Sequence, residues 1–64
     1  MQITLNGERR EIAVATLEAA LTECGFTGHF ATAVNEVFVP ATARSGHALS
    51  EGDRIEVLGA MQGG

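Results

Sequence analysis

The sequence predicts an α+β domain: a small mixed sheet of four to five strands, one helix packed across it, and a flexible C-terminal tail. Three observations predict it. Several short stretches alternate apolar and polar residues with the period of a strand. One stretch places Leu17, Ala20, Leu21 and Cys24 on a single helical stripe. An Asn-Gly dipeptide sits between the first two strand patterns, where a hairpin needs it.

The first strand is Met1–Leu5, with Met1, Ile3 and Leu5 facing one way and Gln2 and Thr4 the other. Asn6-Gly7 suits a type I′ turn, which needs positive φ at both central residues. The return strand is expected over Glu8–Val14, with Ile12 and Val14 turned inward. Thr16 then reads as a helix N-cap, its hydroxyl placed to accept from a free backbone N–H. Glu18 complements the positive end of the helix dipole. Gly25 supplies the left-handed residue that stops the helix. At about two turns, this helix depends on packing rather than on its own propensity.

A glycine-containing connection spans Phe26–Phe30. Two strands, Ala31–Val34 and Val37–Val39, are expected to meet at Asn35-Glu36, where Glu36 is a poorer turn residue than glycine. Pro40 closes the second of them because it has no N–H to give to a ladder. Ala41–Ser50 reads as irregular, with room for one short helical turn. The turn signal Ser50-Glu51-Gly52-Asp53 leads into Arg54–Leu58, with Ile55 and Val57 inward. In so small a mixed sheet the first and last strands are expected side by side, with the helix across one face. That order is the β-grasp arrangement. The division expected is a domain over residues 1–58 and an extended tail over residues 59–64.

Composition limits the function. A chain of 64 residues buries only about 60% of its unfolded surface, and its net stability is on the order of 3–10 kcal/mol. Hollowing such a core for a pocket of roughly 300 Å³ or more would unfold it, so an enclosed active site is excluded. A carrier, adaptor or subunit fits better. Apolar residues at 45% and charged residues at 19% exclude a disordered chain. Eight acids against four arginines give a net charge of −4, a poor match to nucleic acid or anionic lipid. A single cysteine excludes an internal disulfide framework. No signal peptide and no membrane span is expected, which makes the cytoplasm the default compartment.

The tail reads Gly59-Ala60-Met61-Gln62-Gly63-Gly64. Six extended residues reach at most ~20 Å, enough to enter another protein's active site. Gly63 and Gly64 lack Cβ atoms and can thread a narrow channel. The Gly64 carboxylate is a competent nucleophile towards an activated phosphate, and as an acyl-adenylate it becomes a good acyl donor. Gly64 is thus the expected reactive group, and Gly63 is expected to thread with it. The opposing reading is a frayed chain end.

The opening MQITLNGE, the central AVNEVFVP, the stretch LSEGDRIEVL and the ending MQGG resemble the ThiS family of ubiquitin-like sulfur carriers, in matching order over nearly the whole chain. One departure is Asn35-Glu36, where the family's usual turn is Asn-Gly. The resemblance implies a carrier protein, not a catalyst. An E1-like adenylyltransferase would consume ATP to adenylate Gly64. Sulfur from a cysteine desulfurase persulfide would leave a thiocarboxylate. Thiazole synthase would take that sulfur in thiamine biosynthesis. The carrier itself would bind no cofactor. Alternatives are the same chemistry for molybdopterin or another acceptor, a non-reactive β-grasp binding domain, and a protein modifier joined through an isopeptide bond.

Other residues carry plainer expectations. Cys24 lies on the helix stripe and reads as a buried small hydrophobe. His29 and His47 are too isolated to form a metal site. Arg9-Arg10 reads as a solvated strand end, and Glu51 and Asp53 as turn residues, with contact to basic residues of a partner as their alternative. Leu58 and Phe38 alternate out of phase with their inward neighbours, so one or both can form a docking patch, with Met61 and Gln62 beside it. Phe38 has an equal alternative: packing under the Ala41–Ser50 loop with Val37 and Val39 facing out.

Overall fold

The computed structural model describes residues 1–59. Five strands form one sheet: β1 Gln2–Leu5, β2 Glu8–Glu11, β3 Ala31–Val34, β4 Val37–Val39 and β5 Arg54–Leu58. The single α-helix, α1, spans Leu17–Glu23, and a 3-10 helix spans Ala41–Gly46. The strand order is β2-β1-β5-β3-β4. β1 and β5 run parallel, and the other pairs are antiparallel. This is the β-grasp arrangement: the first and last strands are neighbours and the helix covers one face.

Alternation places the core. Ile3, Leu5, Val34, Val39, Ile55 and Val57 point to the helix side and are buried, as are Leu17, Ala20 and Leu21 of α1. Met1, Cys24, Phe26 and Phe30 pack around their edge. Cys24 is therefore half-buried at the rim of the core, rather than sealed within it, because it is already the C-cap of α1.

The helix is set by its ends. Thr16 has extended backbone, and its Oγ1 accepts from the Ala19 N–H at 3.3 Å. At the other end Gly25 takes φ +88°. The Phe26 N–H donates to the Leu21 carbonyl and the Gly25 N–H to the Thr22 carbonyl. This is a Schellman closure, and the partly buried Phe26 completes it.

Two strand-level expectations change. The return strand stops at Glu11, not Val14. Gln2 faces Glu11, the Met1 and Ile12 backbones exchange hydrogen bonds just beyond that pair, and Ile12 is buried in the core. Val14 instead leans half-buried on the core. With the strand so shortened, Arg9 and Arg10 are its two central residues, exposed along an edge. Such charges guard an edge strand against pairing with other chains.

The Ala41–Ser50 segment is more ordered than an irregular loop. Leu17 N–H donates to the His47 carbonyl and Leu49 N–H to the Ala15 carbonyl, which ties this segment to the start of α1. Arg44 holds it from the other side. Its Nε donates to Thr32 Oγ1 at 3.0 Å, its Nη2 donates to the Phe30 carbonyl at 2.6 Å, and its guanidinium stacks 4.4 Å from the Phe30 ring centroid. Thr32, 2% exposed, donates in turn to the Val39 carbonyl at 2.9 Å. A buried hydroxyl is thereby satisfied on both its donor and acceptor sides.

Both two-residue hairpins turn through positive φ. Asn6 and Gly7 have φ 48° and 85°, and Asn35 and Glu36 have 51° and 71°. Asparagine tolerates this region, whereas for an ordinary L-residue it costs roughly 1–2 kcal/mol. Glu36 recovers little of that. Its ion pair with Arg54 spans 3.6 Å between side chains 75% and 60% exposed, and such pairs contribute a few tenths of a kcal/mol. Glu36→Gly is therefore expected to stabilise the fold by about 1 kcal/mol. In a domain this small that raises the thermal midpoint by about 4–8 °C, measurable by circular dichroism. An unchanged or lower midpoint would contradict the assignment of strain.

Candidate functional site

The residues expected to carry the chemistry follow β5, so what positions the end of β5 positions them. β5 is the central strand. On its β3 side Leu58 faces Ala31, Val57 faces Thr32 and Glu56 faces Ala33. On its β1 side the paired register ends at Leu5 and Ile55, because β1 turns away at Asn6-Gly7. The backbone of Val57 would be left without a partner there.

The side chain of Asn6 fills that place. Its Oδ1 accepts from the Val57 N–H at 2.8 Å, and its Nδ2 donates to the Val57 carbonyl at 3.3 Å. The rungs before it are Thr4 N–H to the Asp53 carbonyl and Asn6 N–H to the Ile55 carbonyl, both 2.9 Å. The carboxamide thus imitates a peptide group and extends the parallel ladder by one step. Asn35 does similar work at the start of β5. Its Oδ1 accepts from the Arg54 N–H at 3.0 Å, its Nδ2 donates to Asp53 Oδ1 at 3.0 Å, and its own N–H donates to the Arg54 carbonyl at 2.7 Å. From the sequence, both asparagines read as turn residues alone. The signal available was their shared place, first in each two-residue hairpin; what they bond to required the tertiary fold.

Asp53 and Glu51 are turn residues with long-range roles as well. Asp53 Oδ2 accepts from the Ser50 N–H at 2.8 Å, and Glu51 accepts from the Gln2 N–H at 3.1 Å. Gly59 follows Leu58 with φ +76°, a conformation in which the chain leaves the line of the strand.

The outer face of the sheet is open. Leu58 is 68% exposed and Phe38 64%. They flank Ala31 and Ala33, whose small side chains leave both large groups standing clear. This resolves the alternative for Phe38: it faces outward, opposite Ala33, and Val39 is buried. Val37, on Val39's side of the strand, is also exposed, at 65%. A contiguous apolar patch beside a polar rim is the usual form of a protein-docking surface. The rim includes a shallow recess of about 210 Å³ lined by Thr4, Gly7, Glu36, Arg54, Ile55 and Glu56.

Little else assembles. Among the described residues no group of three or more His, Cys, Asp or Glu side chains converges. His29 is exposed and His47 half-buried, on separate loops. No helix among the described residues is long and apolar enough to cross a membrane. Of the expected site residues, the structure brings Phe38 and Leu58 to one face. Met61, Gln62, Gly63 and Gly64 lie outside the described residues.

A family model described as the ThiS family matches residues 3–64. A crystal structure of a thiamine biosynthesis protein (ThiS) from Geobacter metallireducens superposes with a TM-score of 0.82 at 22% identity, covering 100% of both chains. No curated protein matches the chain.

Asn6→Gly keeps the turn's backbone freedom and removes only the carboxamide. It is expected to cost about 1–2 kcal/mol and to speed hydrogen exchange at the Val57 amide more than at Ile55. Equal protection of Val57 in the variant would show that the side chain does not supply the rung.

Proposed function

The chain belongs to the ThiS family, small sulfur carriers of thiamine biosynthesis rather than catalysts, and from that premise we propose that Gly64 is the atom-bearing end of the carrier. An E1-like adenylyltransferase activates its carboxylate with ATP. The carboxylate oxygen attacks the α-phosphorus, pyrophosphate leaves, and an acyl-adenylate results. The terminal sulfur of a persulfide supplied through a cysteine desulfurase attacks the acyl carbon and AMP leaves, giving an acyl disulfide. A second thiol of the partner then attacks the persulfide's inner sulfur, leaving a disulfide on the partner and releasing the thiocarboxylate. Thiazole synthase is the acceptor. ATP belongs to the activating partner, and the carrier binds no cofactor of its own.

The observation that supports this reading is the reach of the family match to residue 64, past the end of β5 at Leu58. Residues 1–58 are the handle, and residues 59–64 carry the reactive end. The division of labour has a physical logic. A core this small cannot enclose a reaction, but it can hold one group at a fixed address on a larger enzyme. A thioacid is ionised near neutral pH and its sulfur is soft, so it attacks electrophilic carbon well. Tethering raises its effective concentration in the acceptor's site and prevents the escape of free sulfide. Gly63, without a Cβ, threads the channel behind Gly64. Phe38 and Leu58 are the apolar anchors on the partner, with Met61 and Gln62 adding contacts along the entry.

The thiocarboxylate is tested by intact mass of the chain purified from cells with an active sulfur pathway. The expected change is one oxygen replaced by sulfur, mapped to the peptide ending in Gly64. Removing Gly64 is expected to abolish chain-dependent ATP–pyrophosphate exchange and leave the thermal midpoint unchanged. Exchange that persists without Gly64 would remove it from the reaction, and a branched peptide in place of the thioacid would indicate a protein modifier.

Replacing both Phe38 and Leu58 by alanine tests the docking patch. Both are exposed, so stability is expected to move by no more than about 0.5 kcal/mol. The KM of the activating enzyme for the carrier is expected to rise by about tenfold or more. An unchanged KM would place the docking surface elsewhere.

A further inference from the structure

The second hairpin holds a residue that fold stability alone disfavours. Glu36 keeps φ 71° where glycine would sit without strain, and its exposed pairing with Arg54 does not offset that strain. Strain left standing in a small domain points to a use outside the fold. The surroundings of Glu36 indicate the use. It directly precedes the exposed Val37 and Phe38. With Glu56 and Arg54 it lines the recess of about 210 Å³ on the outer face. Glu56 faces Ala33, which in turn faces Phe38, so the recess adjoins the apolar patch. Two carboxylates share that recess with one guanidinium, and the whole chain carries a net charge of −4.

We infer that Glu36 is a specificity-determining docking residue: its carboxylate receives an arginine or lysine of the activating adenylyltransferase while Phe38 and Leu58 meet that enzyme's apolar surface. This rests on the reading of Gly64 as the group adenylated. The carboxylate acts in encounter and register, not in chemistry. A charge at the rim of an apolar patch steers association and excludes partners of the wrong sign. Glycine at this position would give a more stable carrier with a weaker address.

Two substitutions separate charge from strain. Glu36→Gln keeps the strained turn and removes the charge. Glu36→Gly removes both. Each is measured with the wild-type chain in ATP–pyrophosphate exchange by the E1-like adenylyltransferase, over a series of salt concentrations. Both variants are expected to raise KM about threefold to tenfold with kcat unchanged, and both to show a shallower dependence of KM on salt. Only the glycine variant is expected to melt higher. A rise in KM confined to one variant, or absent from both, overturns the proposal, as does an unaltered salt dependence. A wild-type chain that supports no exchange overturns the reading of Gly64, and this inference with it; normal exchange by the wild type and both variants overturns this inference alone.

Discussion

Everything in this fold depends on β5 having a partner on each side. It is the central strand of the sheet, parallel to β1 and antiparallel to β3. It donates Ile55 and Val57 to the core, and residues 59–64 follow it. A central strand is stable only when its backbone groups are paired on both edges. Here β1 is too short to do this alone. The carboxamide of Asn6 makes up the missing rung at Val57, and that of Asn35 secures Arg54 at the other end. Two hairpin turns thus serve as clamps on a strand distant from both in sequence.

A second polar device compensates for a thin core. Thr32 sits within the sheet's inner face, where an aliphatic residue would be the simpler choice. Its hydroxyl joins β3 to β4 through Val39 and receives Arg44 from the 3-10 segment. The guanidinium also caps the Phe30 carbonyl and stacks on that ring. One side chain thereby closes the side of the domain that α1, at seven residues, is too short to cover. Such a network adds order only because every member has a partner.

The outer face follows a different rule from the inner one. Its apolar residues are exposed, its alanines are small, and its acidic rim includes a turn residue in a strained conformation. Local and global preferences agree over most of the inner layer, Thr32 and Val37 apart, and conflict on the outer face at Phe38, Leu58 and Glu36. Conflicts of this kind gather where a protein meets something else.

Much of the architecture was legible in the chain. Strand alternation, the Thr16 cap, the Gly25 stop and the positive φ at Asn6-Gly7 are local consequences of side-chain shape, and each is found in place. The exposure of Leu58 follows from its phase against Ile55 and Val57. Other features were decided only in three dimensions. β2 ends at Glu11, past which Ile12 is buried in the core. Phe38 could be assigned outward only once Ala33 and Val39 fixed the register of β4. The hydrogen bonds of Asn6, Asn35 and Arg44 join residues between 12 and 51 positions apart. The sequence by itself settled which residues prefer a turn, a cap or a buried face, because those preferences act within a few residues. Tertiary structure decided which of them meet, because the free energy of a contact between distant residues depends on how the whole sheet is assembled.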